Sequence, residues 1–373
     1  MSEPIPLARP VLGEEEERAL VEVLRSGQLS LGSRLGEFER AFAAFVGAPL
    51  ASAVSSGTTG LHLALRAAGV QDGDEVITSP LSFVASANVV LYERARPVFA
   101  DIDPVTLNLD PQAAEAAISE RTRALLPVHI FGYPADLPAF ERIAAAAGGL
   151  AIVEDACEAL GARHADGVAV GARGHPAVFA FYANKQLTTG EGGMITLPDG
   201  ALKERIDSER NQGRARDMGW LDHDRLGFNY RLSEFACALG IVQLGRLESM
   251  LAARASAAER YREALADIEE LELPCPDTGG ERRGWFVFVA QLPRRCDRDA
   301  VVRALAAEGI QSKPYLPAIH LMSFYRERFG HREGEFPVCE DVAARSLALP
   351  FFPQITEAQI ERVADRLRAI ISG

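Results

Sequence analysis

The chain has 373 residues, 48% of them apolar, and a net charge of −13, so it can bury a sizeable core while repelling nucleic acid and anionic membrane surfaces. No window approaches the roughly eighteen uninterrupted apolar residues of a membrane span, and Met1 to Arg9 lacks the basic and apolar regions of a secretory leader. The five cysteines (Cys157, Cys237, Cys275, Cys296 and Cys339) are scattered and odd in number, which predicts free thiols in a reducing cytoplasm, with neither a disulfide framework nor a metal site.

Apolar periodicity predicts amphipathic helices over Glu14–Arg25 and Leu35–Phe45, closed near Gly27 and Gly47. Strands and helices then alternate. Strands are predicted over Ala51–Ser55, Glu75–Thr78, Pro97–Ala100, Ala124–His129 and Leu150–Val153, with helices over Thr59–Ala68, Phe83–Tyr92 and Leu137–Ala147 between them. Short apolar strands separated by helices indicate a parallel sheet covered on both faces, in which ligands sit beyond the carboxyl ends of the strands. Arg231 to about Ile268 reads as mostly helical. A Pro/Gly-rich connection over 272–283 follows, then a strand over Trp285–Leu292, a helix over Asp299–Ala307, an extended piece over Gln311–Tyr315 and a closing helix over Thr356–Ile371, with Thr356 and Gln359 spaced as a capping box. The expected division is a large α/β domain over 1–250 and a smaller α+β domain over 251–373.

Only three of the 39 basic residues are lysines: Lys185, Lys203 and Lys313. Arginine cannot replace an amine that must condense with a carbonyl, so each lysine is a candidate for amine chemistry. Lys185 follows the apolar run Ala177–Ala183 and precedes the glycine-rich turn Gly190–Gly193; partial desolvation there would favour imine formation, although a snorkelling lysine at a strand end fits the same pattern. Lys203 lies on an amphipathic helix and is expected on its exposed face.

Two further segments carry chemistry. Ser55-Ser56-Gly57-Thr58-Thr59 joins a strand to a helix, where free amides and hydroxyls suit a phosphate monoester or form a plain N-cap. The strand over 150–153 ends in Glu154-Asp155, and a carboxylate there suits a protonated pyridine nitrogen, a helix cap or a salt bridge. Of the histidines, His62 is expected to pack, and His164 and His175 to face solvent. Trp285 is expected in the core.

The ordered set resembles the DegT/StrS sugar-aminotransferase branch of fold-type I enzymes that use pyridoxal phosphate (PLP). The resemblance rests on Ser56-Gly-Thr-Thr59, Pro80–Asn88, Val98–Asp103, Pro127–Asp136, Glu154–Glu158, Lys185 with Thr189–Gly193, Leu226–Glu234, Gly309–His320 and Phe336–Glu340. It implies an aspartate-aminotransferase-like fold with a mostly parallel seven-stranded sheet sandwiched by helices. It also implies that Lys185 is the Schiff-base lysine and proton shuttle, and that Asp155 pairs with the pyridine nitrogen. Phe83 would stack on the ring, Gly57, Thr58 and the Thr59 backbone would hold the phosphate, and Glu158 would lie beside the ring. Lys313, Tyr315 and His320 match a segment near the substrate. Asn229 resembles a phosphate contact made to the other subunit, which implies a homodimer.

Two positions depart from the family pattern. Ala180 stands where a phosphate-binding serine is frequent, and Glu158 stands where glutamine or histidine is frequent, adding negative charge beside Asp155 unless it is paired or protonated. The implied reaction moves an amino group from an amino acid, glutamate by resemblance, through the pyridoxamine form to a nucleotide-linked keto sugar. Alternatives are a cyclitol (inosose-type) aminotransferase and a non-catalytic sensor. A related sugar dehydratase would carry histidine in place of Lys185.

Overall fold

The computed structural model describes residues 3–215, 222–277 and 279–372; Met1 and Ser2 of the first stretch and Thr278 of the Pro/Gly-rich connection lie outside them. The chain opens with α1 (Glu14–Ser26) and α2 (Ser33–Val46), each ended by a left-handed glycine, Gly27 at φ 70° and Gly47 at φ 85°. It continues through β1 (Leu50–Val54), α3 (Gly57–Ala67), β2 (Glu75–Thr78), α4 (Ala85–Tyr92), β3 (Arg96–Phe99), α5 (Pro111–Ala116), β4 (Thr122–Leu126) and α6 (Leu137–Ala146). Next come β5 (Ala151–Ile152), β6 (Glu154–Asp155), β7 (Ala177–Ala180), β8 (Gly193–Leu197), α7 (Gly200–Arg210), α8 (Glu234–Gly245) and α9 (Leu247–Leu265).

β5 and β6 form one line interrupted at Val153. The line pairs with β4 through β5, and the Asp155 amide donates to Pro127 O at 2.9 Å; on its other side β6 pairs with β7. The strands therefore run in the order β3-β2-β4-β5/β6-β7-β8-β1. Only β8 is reversed, antiparallel to both β7 and β1, so the fold is the expected mostly parallel α/β sheet of fold type I. As expected, Glu154 and Asp155 close that strand line, and the Asp155 carbonyl also accepts from the His129 amide at 3.0 Å.

The last third adds β9 (Phe288–Gln291), α10 (Arg298–Ala307), β10 (Lys313–Pro314), α11 (Ser323–Phe329), α12 (Pro337–Arg345), β11 (Ser346–Leu349) and α13 (Glu357–Ser372). Its strands form an antiparallel sheet, β10-β11-β9. The capping box holds: Gln359 N donates to Thr356 Oγ1 at 3.2 Å and Thr356 N to Gln359 Oε1 at 3.0 Å. α9 belongs to two cores. Leu247, Met250 and Leu251 pack with α2 beneath the large sheet, whereas Ala257, Tyr261 and Leu265 pack with β9, β11 and α13. Ile5 joins that second core, so the chain start contributes to the C-terminal part.

Two surface expectations are corrected. Lys203 Nζ reaches Glu39 Oε2 at 3.0 Å and the Ala51 carbonyl at 2.8 Å, because α7 lies along β1. His164 is buried at 4% exposure against His129, while His175 is half-buried against Glu141. Trp285 is buried as expected, stacked on Phe288. Among the described residues no single helix is long and apolar enough to cross a membrane.

Candidate active site

The C-terminal ends of β1, β2, β6 and β7 converge, and their following residues build one cluster. Ser56 caps α3 by accepting the Thr59 amide on its Oγ at 3.1 Å, while Thr59 Oγ1 accepts the Ser56 amide at 3.0 Å. The Thr59 amide, expected to face a phosphate, is thus engaged by Ser56. The first-turn amides of Gly57 and Thr58 have no partner inside the helix, and the helix dipole favours an anion there.

Glycine is required for this helix end to sit where it does. A Cβ on Gly57 would lie 2.7 Å from Cys157 Sγ and 2.8 Å from Ala180 Cβ, and one on Gly60 would lie 2.6 Å from Val178 Cγ1. Ala180 is therefore directly beside the first turn, at the place where a serine hydroxyl would meet a phosphate.

Asp155 is buried at 5% exposure. Its Oδ2 accepts from Ser86 Oγ at 2.8 Å, and its Oδ1 accepts the Cys157 amide at 3.1 Å. Ser86, on α4, is in turn 2.7 Å from Ser82 Oγ, so the carboxylate is oriented from two elements. Burial, followed by the charge of Asp155, pushes the neighbouring Cys157 thiol well up, which makes it an inert neighbour rather than a nucleophile.

Lys185 is nearly enclosed, with a side-chain exposure of 12%. Its Nζ stands 3.6 Å from Glu158 Oε1 and 3.9 Å from the centroid of the Phe286 ring. The second carboxylate oxygen, Glu158 Oε2, accepts the Phe131 amide at 2.9 Å. Burial holds the Glu158 carboxyl above its usual range, and the Lys185 ammonium and the Phe131 amide offset this only in part. The negative charge expected beside Asp155 is therefore paired.

Tyr315 packs on Phe131 and Phe286 at centroid distances of 5.8 and 6.2 Å. Its phenol is pushed far up, first by burial and then by Glu158, so it reaches this cluster. Phe83, after β2, is 63% exposed, an uncovered ring at the cluster's edge.

Three expected residues are not part of the cluster. Lys313 is exposed on β10. His320 is completely buried, with Nε2 3.1 Å from Glu340 Oε1 and its ring against Phe336; with no surface it has nothing to offer a substrate directly. Asn229 is exposed, and the next residue's carbonyl, that of Tyr230, accepts the Ser55 amide at 2.9 Å. That segment rests on His62, which packs against Phe228 and donates or accepts at Glu93 and Tyr230.

Sequence reasoning missed Ser86, which holds Asp155, Phe286, whose ring faces the Lys185 amine, and Arg254, whose Nη1 donates to the Phe286 carbonyl at 3.0 Å. Ser86 lies in the first turn of α4, and Ser82 reaches it from the bend before that helix, a contact without a local signal. Phe286 arrives from the C-terminal part, and Arg254 on a charged helix reads as surface, so neither had one.

The profile of the DegT/DnrJ/EryC1/StrS aminotransferase family matches residues 10–368. The chain belongs to this family. It is 36% identical over 382 residues to the spore coat polysaccharide biosynthesis protein SpsC of Bacillus subtilis, covering 99% of this chain and 97% of that one. Among solved structures, DesV of S. venezuelae in complex with a ketimine intermediate superposes with a TM-score of 0.92 at 34% identity over all of both chains. 3-Amino-5-hydroxybenzoic acid synthase superposes with a TM-score of 0.93 at 30% identity, again over all of both.

As a member of the DegT/DnrJ/EryC1/StrS family the chain is a PLP-dependent aminotransferase, and its own residues fit that cofactor. An α3 first turn with two free amides suits the phosphate, the buried and oriented Asp155 carboxylate suits the ring nitrogen, and the enclosed Lys185 amine suits the aldehyde.

Proposed function

We propose that this aminotransferase transfers the amino group of an amino acid, L-glutamate, to a keto sugar carried on a nucleotide. The observation that carries the reading is the Lys185 amine, enclosed and paired with Glu158 in the same cluster as the oriented Asp155 carboxylate. The sugar assignment draws on the relatives: SpsC is named for polysaccharide biosynthesis, and PseC of Helicobacter pylori, 26% identical with a TM-score of 0.91, is an aminotransferase of pseudoaminic acid biosynthesis.

Bound in this cluster, PLP supplies an electron sink for the carbon that loses and regains a proton. The chain's residues do the rest. Ser86 and the Cys157 amide fix the Asp155 carboxylate so that it holds a proton on the ring nitrogen. The Gly57 and Thr58 amides would hold the phosphate, and the exposed Phe83 ring would pack on the cofactor ring. Lys185 Nζ would take the proton from the substrate carbon and deliver it to the C4′ carbon of the cofactor, and Glu158 would keep the proton-bearing amine in place. Tyr315 would face the substrate, and the exposed Lys313, outside the cluster itself, would answer a diphosphate against the acidic background. Asn229 serves the site of a second copy in a homodimer, and residues 1–250 and 251–373 act as two domains joined along α9.

Incubating the enzyme with L-glutamate and a panel of nucleotide-linked keto sugars, with products identified by mass spectrometry and NMR, tests the reading. Amination of a nucleotide-linked sugar supports it. Turnover only of free cyclic ketones would contradict it, an outcome given weight by the likeness to 3-amino-5-hydroxybenzoic acid synthase.

A further inference from the structure

We infer that the ring of Phe286 is a seat for the Lys185 amine, a cation–π perch that holds the ammonium whenever the lysine is not covalently joined to the cofactor. This rests on the reading of Lys185 as the joining residue.

The geometry is specific. Nζ lies 3.9 Å from the ring centroid, inside the range of a strong cation–π contact. Its acidic neighbour, Glu158 Oε1, is at 3.6 Å, beyond a direct hydrogen bond. The ring face therefore supplies much of what an almost fully desolvated ammonium requires. A lysine stem has four rotatable bonds, and a released amine without a seat would wander among rotamers.

The perch is also braced. Arg254 Nη1 donates to the Phe286 carbonyl at 3.0 Å, and Nη2 lies 3.5 Å from the Lys185 carbonyl. Arg254 is only 3% exposed, and among the described residues no carboxylate pairs with it and its Nε has no partner. Burial draws this guanidinium down to about 10. A buried arginine without an acid is costly, and the two carbonyls it spans account for its position: those of the lysine and of the ring beneath its amine. The Gln186 amide adds a second tie, donating to the Glu158 carbonyl at 2.6 Å and to Gly284 O at 2.8 Å. Arg254 is thus a positioning residue, and Phe286 acts on Lys185 rather than on substrate.

The consequence is thermodynamic. The lysine is covalently engaged when the cofactor is in its aldehyde form and free when it is in its amine form, so the perch stabilises the pyridoxamine phosphate complex selectively. We would measure dissociation constants for PLP and pyridoxamine phosphate in the full chain carrying phenylalanine, 4-fluoro-, 3,5-difluoro- or 3,4,5-trifluorophenylalanine at 286, and in Phe286→Leu. Fluorination withdraws charge from the ring face and changes its shape little. The ratio of the pyridoxamine to the pyridoxal constant should rise stepwise with fluorine, reaching about tenfold in the trifluoro and leucine proteins. A ratio that stays flat, or two constants that weaken together, would overturn the perch. Lys185→Ala separates this from the underlying reading: it should lose the visible band of covalently held PLP, and retention of that band would overturn the role of Lys185 itself, whatever position 286 does.

Discussion

Asp155 shows how much of the chemistry rests on single side chains. Its two oxygens already accept Ser86 Oγ and the Cys157 amide, so the carboxylate is oriented before any ligand arrives. Asp155→Asn keeps that shape and removes the charge proposed to hold a proton on the ring nitrogen; kcat should fall by about 10²–10³-fold, measured in a steady-state assay with the native fold checked by circular dichroism. Lys185 was legible in the sequence because lysine is so scarce: with three in the chain, one at a strand end before a glycine-rich turn stands out. Asp155 was legible from its place after an apolar strand. Phe286 and Arg254 were not, because what matters about them is the element they face, and nothing local in Gly284-Trp-Phe-Val or in the charged α9 records that.

At the level of elements, α3 and its preceding loop form the proposed phosphate site. Gly57 and Gly60 let the helix end touch β7, which brings Ala180 beside the first turn with no hydroxyl to offer. Ala180→Ser should add one hydrogen bond and tighten PLP binding by roughly three- to tenfold, read by fluorescence titration of the full chain. Elsewhere, Thr356→Ala removes one side of the α13 capping box and should lower stability by about 1 kcal/mol in urea unfolding. That box, and the strand–helix alternation up to residue 155, could be read because caps and periodicity are local signals. α11, α12 and β11 could not: they are short, and residues such as Tyr325 and Cys339 are buried by distant neighbours rather than by a pattern of their own.

Two of the molecule's apolar cores share α9, and buried polar groups contribute to its response to acid. His164 stands against His129, and burial, then the His129 charge, lowers it to about 4 from an ordinary 6.5. The unfolded chain therefore binds a proton at this site between those values while the folded chain does not, so stability is present above pH 6.5 and is lost as the pH falls toward 4. This site alone should remove about 2 kcal/mol between pH 7 and pH 5, and His164→Asn should flatten that part of the urea-midpoint profile.

At the same scale, the mostly parallel seven-stranded sheet was foreseen only through the family likeness, and its strand order and the reversed β8 were not foreseen at all, since periodicity does not say which strands pair. The proposed chemistry turns on one amine in one enclosed cluster. Reducing the PLP-loaded enzyme with borohydride, digesting it and locating the pyridoxyl group by mass spectrometry tests it most directly: the account predicts the label on Lys185, and a label on Lys203 or Lys313 would contradict it.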